Sequence, residues 1–446
     1  MVRLTLRACL ALTVGGCASL NARLEDADSR PLFSLSVPGA RSLGSITQLG
    51  LVAHGDSKCW IVGRARAAIL SAGTRCELFD GAAAMADDRG HHATGLRTPW
   101  VEARDERLLD ANVAKDRVLV LSGRLPTSSD AAVRARLSAI EASGKRAWEL
   151  PFLPFDLESA PTRGALLTSR ASLFVALDER VARIDPKQGS LDWHRKIPGA
   201  PSKEAGRFVD GGSLGVLFVE GDRVTSIAEG GIAWQRTPRA GAVIEDVLVA
   251  GDRWLLDIRA GEERIITSLS ISGDSEWSII RGDPEPRVTG LAVLGDRAML
   301  AAGARLVAID LVKGSALVLD RFEPGAYGKL VAQSRLAALV GPKRIEGRSS
   351  EGKLEYAIDL AEGWSEFAPP SNSTTPRFAS ARSGEDLVLI DLERGVGVEL
   401  ETDEVQSGCE ATIAVDPNGT WLAELLVGSC KDSSTIRAFE ISLPKS

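Results

Sequence analysis

Four histidines, three methionines and two tyrosines are all that this 446-residue chain carries of those types. Imidazole-based metal centres and histidine-driven acid–base chemistry therefore have few places to sit. There is no P-loop, no G-x-G-x-x-G opening a helix and no Cys-x-x-Cys-His, so phosphate cradles and covalent haem attachment are excluded. A nucleophilic triad needs a positioned Ser and His, and no G-x-S-x-G nucleophile elbow is expected. Excess positive charge is missing as well. Lys plus Arg total 53 against 60 Asp plus Glu, for a net charge of -7 and a pI near 5.4. Nucleic acid is not the expected partner of such a surface. Beyond the first residues no apolar run approaches a membrane span, which excludes a polytopic protein. Helical periodicity is nearly absent. Only Ser129–Gly144 could be a capped helix, and the repeat described below argues that its second half is a strand.

What is present is ordinary globular composition, 44% apolar and 25% charged, in a chain long enough to bury a large core. The N-terminus reads as an address. Arg3 and Arg7 precede the short apolar run Ala8–Val14, and Gly15-Gly16-Cys17 follow, the plan of a secretory signal peptide. The ending Val14-Gly15-Gly16-Cys17 resembles the bacterial lipobox. That resemblance implies cleavage before Cys17, lipid on its thiol and, with Ala18 next, sorting to an outer membrane. The expected division is a lipoprotein signal over 1–16, a lipidated tether over 17–30 and one folded body over 31–446.

Cys9 falls in the signal, which leaves Cys59, Cys76, Cys409 and Cys430 in an exported body. An even number makes disulfides reasonable, with three connectivities open and four free buried thiols as the alternative. Cys409 with Cys430 is favoured, because they flank the turn Asp416-Pro417-Asn418-Gly419. Cys59 with Cys76 follows by elimination, although a strand is expected between them.

The body is a repeat. Residues 136–148, 180–193, 223–234 and 265–277 each carry an alternating apolar strand, a polar turn with glycine, and tryptophan four residues after it. The pairs are Gly144/Trp148, Gly189/Trp193, Gly230/Trp234 and Gly273/Trp277. Weaker copies keep Gly314 with Val318, Gly352 with Tyr356, Gly395 with Glu399 and Gly73 with Glu77. A period near 40–45 residues with short alternating strands predicts an all-β chain folded as a single β-propeller. Each blade is apolar on two faces and buries them only against neighbours. The glycines are expected to supply a positive φ, and the tryptophans to wedge between blades as packing rather than as ligand contacts. Pro31–Val37 is a strand with no blade ahead of it, and 410–440 holds three strands with no fourth behind. Pairing of the N- and C-terminal strands would close the ring. The count comes to eight blades within a range of seven to nine.

The turn pattern around Ile184, Asp185, Gly189 and Trp193 resembles the pyrroloquinoline-quinone-type propeller repeat. With the lipobox ahead of it, the chain resembles the BamB family, propeller lipoproteins of the outer-membrane β-barrel assembly machinery. The resemblance implies no cofactor, a periplasm-facing outer-membrane position, protein partners in the cell envelope and a scaffolding role without catalysis. Quinone-dependent dehydrogenases share the repeat, and a dehydrogenase or a small-ligand binder at the central channel is the alternative. Those enzymes carry Ca²⁺ ligands, a catalytic Asp and in many cases adjacent cysteines, and no Cys-Cys pair occurs here. Asp87, Asp88, His91 and His92 share an insert and could bind a metal, but a solvated polar loop is the preferred reading. No catalytic or metal-ligating residue is assigned. The insert 80–115 is the expected partner contact.

Overall fold

The computed structural model describes residues 163–199, 206–282, 287–360, 365–368, 377–383 and 386–401. Between 24 and 150 and between 409 and 441 it describes strand residues alone. Those residues are strands and tight turns, with a single 3-10 turn at Gly212–Leu214.

One sheet sets the pattern. Gly164–Ser169, Ser172–Leu177, Arg180–Ile184 and Leu191–Lys196 pair antiparallel in chain order. The same up-and-down order recurs in sheets spanning 106–150, 207–236, 243–282, 291–321, 329–359 and 365–401. Residues 135–141 are a strand of the first of these, so the second half of the helix-like segment is extended. The 365–401 sheet gains Leu24–Asp26, parallel to Val396–Glu401. In the last sheet Ser29–Pro38 pairs antiparallel with Ser433–Ile441, beside Trp421–Gly428 and Cys409–Val415. An early strand and the last described strand thus meet in one sheet. There are also a three-stranded sheet of Leu49–His54, Lys58–Gly63 and Leu78–Asp80, its first strand touching both Cys409–Val415 and Glu106–Ala114, and a two-stranded one of Leu70–Ser71 and Arg75–Cys76.

Burial explains why these sheets stack. The second strands whose side chains are described are buried on both faces along most of their length, as all of Ser172–Leu177 is, which blurs alternation into an apolar run. Each apolar cluster then bridges two consecutive sheets. Leu121 and Leu137 pack with Val175 and Ile184, Leu217 with Trp254, Leu255 with Val307, and Ala338 with Ile390. No sheet has a core of its own; neighbours supply it. First strands of consecutive sheets lie side by side, as Glu106–Ala114 does with Gly164–Ser169 and Leu291–Leu294 with Lys329–Ala332. The architecture is an all-β propeller.

Candidate functional site

The turn between the third and fourth strands of a sheet is where the repeat residues gather. After Arg180–Ile184, the Asp185 side chain accepts the amides of Lys187 at 2.7 Å and Gln188 at 3.3 Å. The Gly189 amide returns to the Asp185 carbonyl at 2.8 Å. Asp310 and Asp391 make the same turn before Gly314 and Gly395. A short carboxylate thus folds the chain back on itself, the reason Asp occupies this place.

Five of these turns receive an aromatic side chain from the preceding sheet. Indole Nε1 of Trp148 donates to Pro186 O at 3.0 Å, Trp193 to Glu229 O at 2.6 Å, Trp234 to Ile271 O at 2.7 Å and Trp277 to Leu311 O at 3.0 Å. Tyr356 does the same through its hydroxyl, to Leu392 O at 2.6 Å. The glycine is required twice over at Gly189 and Gly314. Their φ values are 72° and 65°, and a Cβ would stand 2.6 Å from the Trp148 ring and 2.8 Å from that of Trp277. Gly273 stands in the same relation to Trp234. The pairing therefore joins the aromatic of one repeat to the glycine of the next. In the 223–234 copy the residue with positive φ is Gly231, at 134°, and not Gly230. Gly144 lies outside the described residues.

A β-bulge aims these aromatics. Trp193 lies opposite Arg183 and Leu191 opposite Ile184, which leaves Asp192 as the extra residue. Ala147, Ala233, Glu276 and Glu355 are extra in the same place, immediately before Trp148, Trp234, Trp277 and Tyr356. The kink turns the following side chain toward the next sheet. The 291–321 sheet departs from this. Its bulge falls at Leu319, and it is Leu319, not the sequence-equivalent Val318, whose Cβ lies against Gly352.

Sequence reasoning missed a buried ion pair. Arg264 is 2% exposed and Asp257 fully buried. Nε and Nη2 of Arg264 donate to the Asp257 carboxylate at 2.9 and 2.6 Å. Its remaining donors reach Val288 O at 3.0 Å, Ala301 O at 2.7 Å and Gly290 O at 2.7 Å. All five N–H groups of the guanidinium are used, three of them on the neighbouring sheet and the segment leading into it. A charge inside the run Trp254-Leu255-Leu256-Asp257-Ile258 was the available signal.

The first strands also carry charge. Arg207 Nη2 donates to Glu245 O at 2.8 Å, and Glu245 pairs with Arg259. Glu245 is itself the extra residue of a bulge, next to Asp246. Burial raises the Asp246 carboxyl to about 6, with Arg207 and Lys329 pulling the other way. Burial lowers Lys329, against the pull of Asp246.

A cleft of about 310 Å³ opens between the 164–196 and 207–236 sheets, on the face that carries the repeat turns. Phe174 and Val216 line it with Arg170, Arg183, Ser213 and Ser226. Arg170 adopts φ 54° and its Nη2 donates to Gly212 O at 2.5 Å. Arg183 Nε pairs with Asp192 at 3.2 Å. Gly211-Gly212-Ser213-Leu214-Gly215 has the G-x-S-x-G spacing, which the sequence reading passed over as a turn. It joins Arg207–Asp210 to Val216–Glu220 through a 3-10 turn, so strand follows strand and no helix follows the serine. No histidine lines this cleft. The arrangement suits holding a small polar group or a peptide side chain, not acyl transfer.

Several expected residues lie outside the described ones: Cys17, Cys430, Asp87 and Asp88 entirely, and Cys59, Cys76, Cys409, His91 and His92 as to side chains. Cys409 heads its strand opposite Gly428, and the backbone of His91–His92 runs parallel to Leu35–Ser36. Among the described residues no three His, Cys, Asp or Glu side chains are grouped to hold a metal ion, and no helix is long and apolar enough to cross a membrane.

Stacked four-stranded sheets with docked aromatics define a propeller of the pyrroloquinoline-quinone-like repeat type. Residues 178–321 match the family model of the outer membrane protein assembly factor BamB. No curated protein matches the chain. Among solved structures, the computationally designed Ika8 protein is similar at 14% identity and a TM-score of 0.43, over 81% of this chain and 97% of that one. AztD of Citrobacter koseri is similar at 15% identity and 0.40, over 70% and 95%. The WD40 domain of SCAP from fission yeast is similar at 10% and 0.42, over 75% and 95%.

Proposed function

We propose that this protein is a non-enzymatic, membrane-anchored scaffold facing the periplasm, accessory to the assembly of outer-membrane β-barrels. The observation that carries the reading is the BamB family match over 178–321, the stretch in which Trp193, Trp234 and Trp277 dock on the following turns. Anchoring through lipid on Cys17 and a non-catalytic role are parts of this proposal, supported by the lipobox-like Val14–Cys17 and by the family resemblance. A quinone-dependent dehydrogenase is the alternative, and it predicts a new visible absorbance when quinone and Ca²⁺ are added to the protein. The test is crosslinking and affinity capture of the lipidated protein from its native membranes, read by mass spectrometry. Recovery of barrel-assembly subunits is expected. Their absence from an intact, membrane-bound bait overturns the reading.

A second reading, a small-ligand binder, is favoured only by the cleft beside Arg170 and Ser213. It predicts a ligand-induced rise in melting temperature that Arg170→Ala abolishes.

A further inference from the structure

The exposed large apolar side chains among the described residues are Ile271, Ile280, Val312, Leu317 and Val318, and they fall on two consecutive sheets. Three belong to the 291–321 sheet, where Val312 is 72% and Leu317 61% exposed. Single exposed apolar residues are common; a group confined to one part of a fold marks a contact surface.

The displaced bulge explains the group. Elsewhere the bulge precedes the docking aromatic and turns it inward. Here the extra residue is Leu319, so Leu319 packs inward while Leu317 and Val318 face solvent. Ala316–Arg321 ends its sheet, with Arg305–Asp310 on one side only, so its other side presents unpaired backbone N–H and C=O groups. The equivalent edge Leu191–Lys196 is studded with Asp192, His194, Arg195 and Lys196, and Ser275–Gly282 carries Glu276 and Arg281 near its two ends, whereas the charges of Ala316–Arg321, Asp320 and Arg321, stand together at one end. Gly231–Arg236 has Arg236 as its one charge, also at the end, but Ile232 and Trp234 are half-buried there and Arg195 lies over Gly231. Ala316–Val318 has no such cover.

Charge at one end of this edge is uncompensated. Arg321 lies directly opposite Arg305 across the strands. Like charges in that position repel. The neighbouring acid, Asp320, is held by Arg348 at 2.8 Å. Neither Arg305 nor Arg321 has an ion pair or side-chain hydrogen bond among the described residues, and both are exposed. An acidic group arriving there would neutralise both.

We infer that Ala316–Arg321 is a strand-addition edge, which accepts an extended segment of a protein partner with apolar residues along Ala316–Val318 and a carboxylate beside Arg305 and Arg321. Main-chain hydrogen bonds supply the affinity, and the apolar-to-acidic order supplies the choice of segment. This rests on the scaffold reading above and names the surface through which it would act.

The test uses the full chain and a fluorescein-labelled synthetic nonapeptide, two glutamates followed by alternating valine and threonine, followed by anisotropy. Saturable binding is expected. Methylating alternate amide nitrogens on the pairing side of the peptide should weaken it about tenfold, because only backbone pairing needs those N–H groups. Leu317→Lys with Val318→Lys should weaken it similarly. Arg305→Glu with Arg321→Glu should weaken it about fivefold, with recovery when lysines replace the peptide glutamates. Circular dichroism checks that the variants fold, and the N-methylated peptide tests the wild-type chain should they fail. Equal binding of the N-methylated peptide, or no binding of either peptide, overturns the inference. So does concentration-dependent dimerisation in sedimentation that Leu317→Lys abolishes, which would assign the edge to a second copy of this chain. Recovery of assembly subunits in the membrane capture, with no peptide binding, would sink this edge and leave the scaffold reading standing.

Discussion

The 291–321 sheet has two seams, and they are built differently. Toward the 243–282 sheet it is clamped by Trp277 docked on its turn and by Arg264 reaching over to Val288, Ala301 and Gly290. Toward the 329–359 sheet it offers Leu319 against Gly352, helped by Arg348 on Asp320 and by Arg297 Nη1 donating to Ser350 O at 3.1 Å. Both seams bury apolar clusters. The difference teaches that apolar packing with a few polar contacts at its margin holds two sheets together, whereas a docked aromatic and a fully buried cation also fix where each sits.

The strongest way to break that contrast is Arg264→Ala. It leaves the Asp257 carboxylate buried without its partner and should cost about 3–5 kcal/mol in urea unfolding. Asp320→Ala, which removes the partly exposed acid that Arg348 reaches across the other seam, should cost about 1 kcal/mol or less. Equal losses would show that the clamp is no clamp. Next come the two contacts themselves. Trp277→Ala should cost about 3 kcal/mol and Leu319→Ala about 2 kcal/mol, measured by the same unfolding curves.

Asp246 sharpens the comparison through pH. Its carboxyl titrates near 3.8 when unfolded and about 6 when folded. Between those values the folded protein holds a proton that the unfolded chain has lost, so stability falls as pH rises. The contribution is complete below pH 4 and gone above pH 6. Asp246→Asn should flatten the stability difference between pH 4 and pH 7 by about 2 kcal/mol, discounting for partial exposure. An unchanged slope would move the titration elsewhere. The smallest effect is expected from Val318→Trp. Restoring the sequence pattern without the bulge leaves the ring facing solvent, so stability should change by no more than about 0.5 kcal/mol.

Much of the fold was legible because the repeat writes its own period. Trp193 and Gly189 could be found by counting, and so could Tyr356 as a degenerate copy. What counting could not reveal was which residues meet. Gly189 belongs with Trp148 of the preceding sheet, because an outer strand leans over the next turn, and sequence distance hides that. The bulge was invisible for a related reason. One inserted residue shifts register without altering composition, so Val318 held the tryptophan position by count while Leu319 held it in space. Arg264 was illegible because charged residues in strands are read as solvent-facing, and strands covered on both faces offer no solvent side. The cleft at Ser213 follows from two turns brought together by stacking. The cysteine and lipid expectations concern residues or side chains outside the described ones.

The five hydrogen bonds of Arg264 have a consequence for how the chain avoids misfolding. Apolar sheets pack in many offsets of similar energy, and a repeat multiplies the choices, since any sheet resembles its neighbour. A slip of two residues between the 243–282 and 291–321 sheets would keep leucines and valines in contact yet strand a guanidinium in the interior without its carbonyls. That single cation makes the wrong offset costly where oily side chains would tolerate it, and so acts as the keyed tooth that lets near-identical parts assemble in only one position.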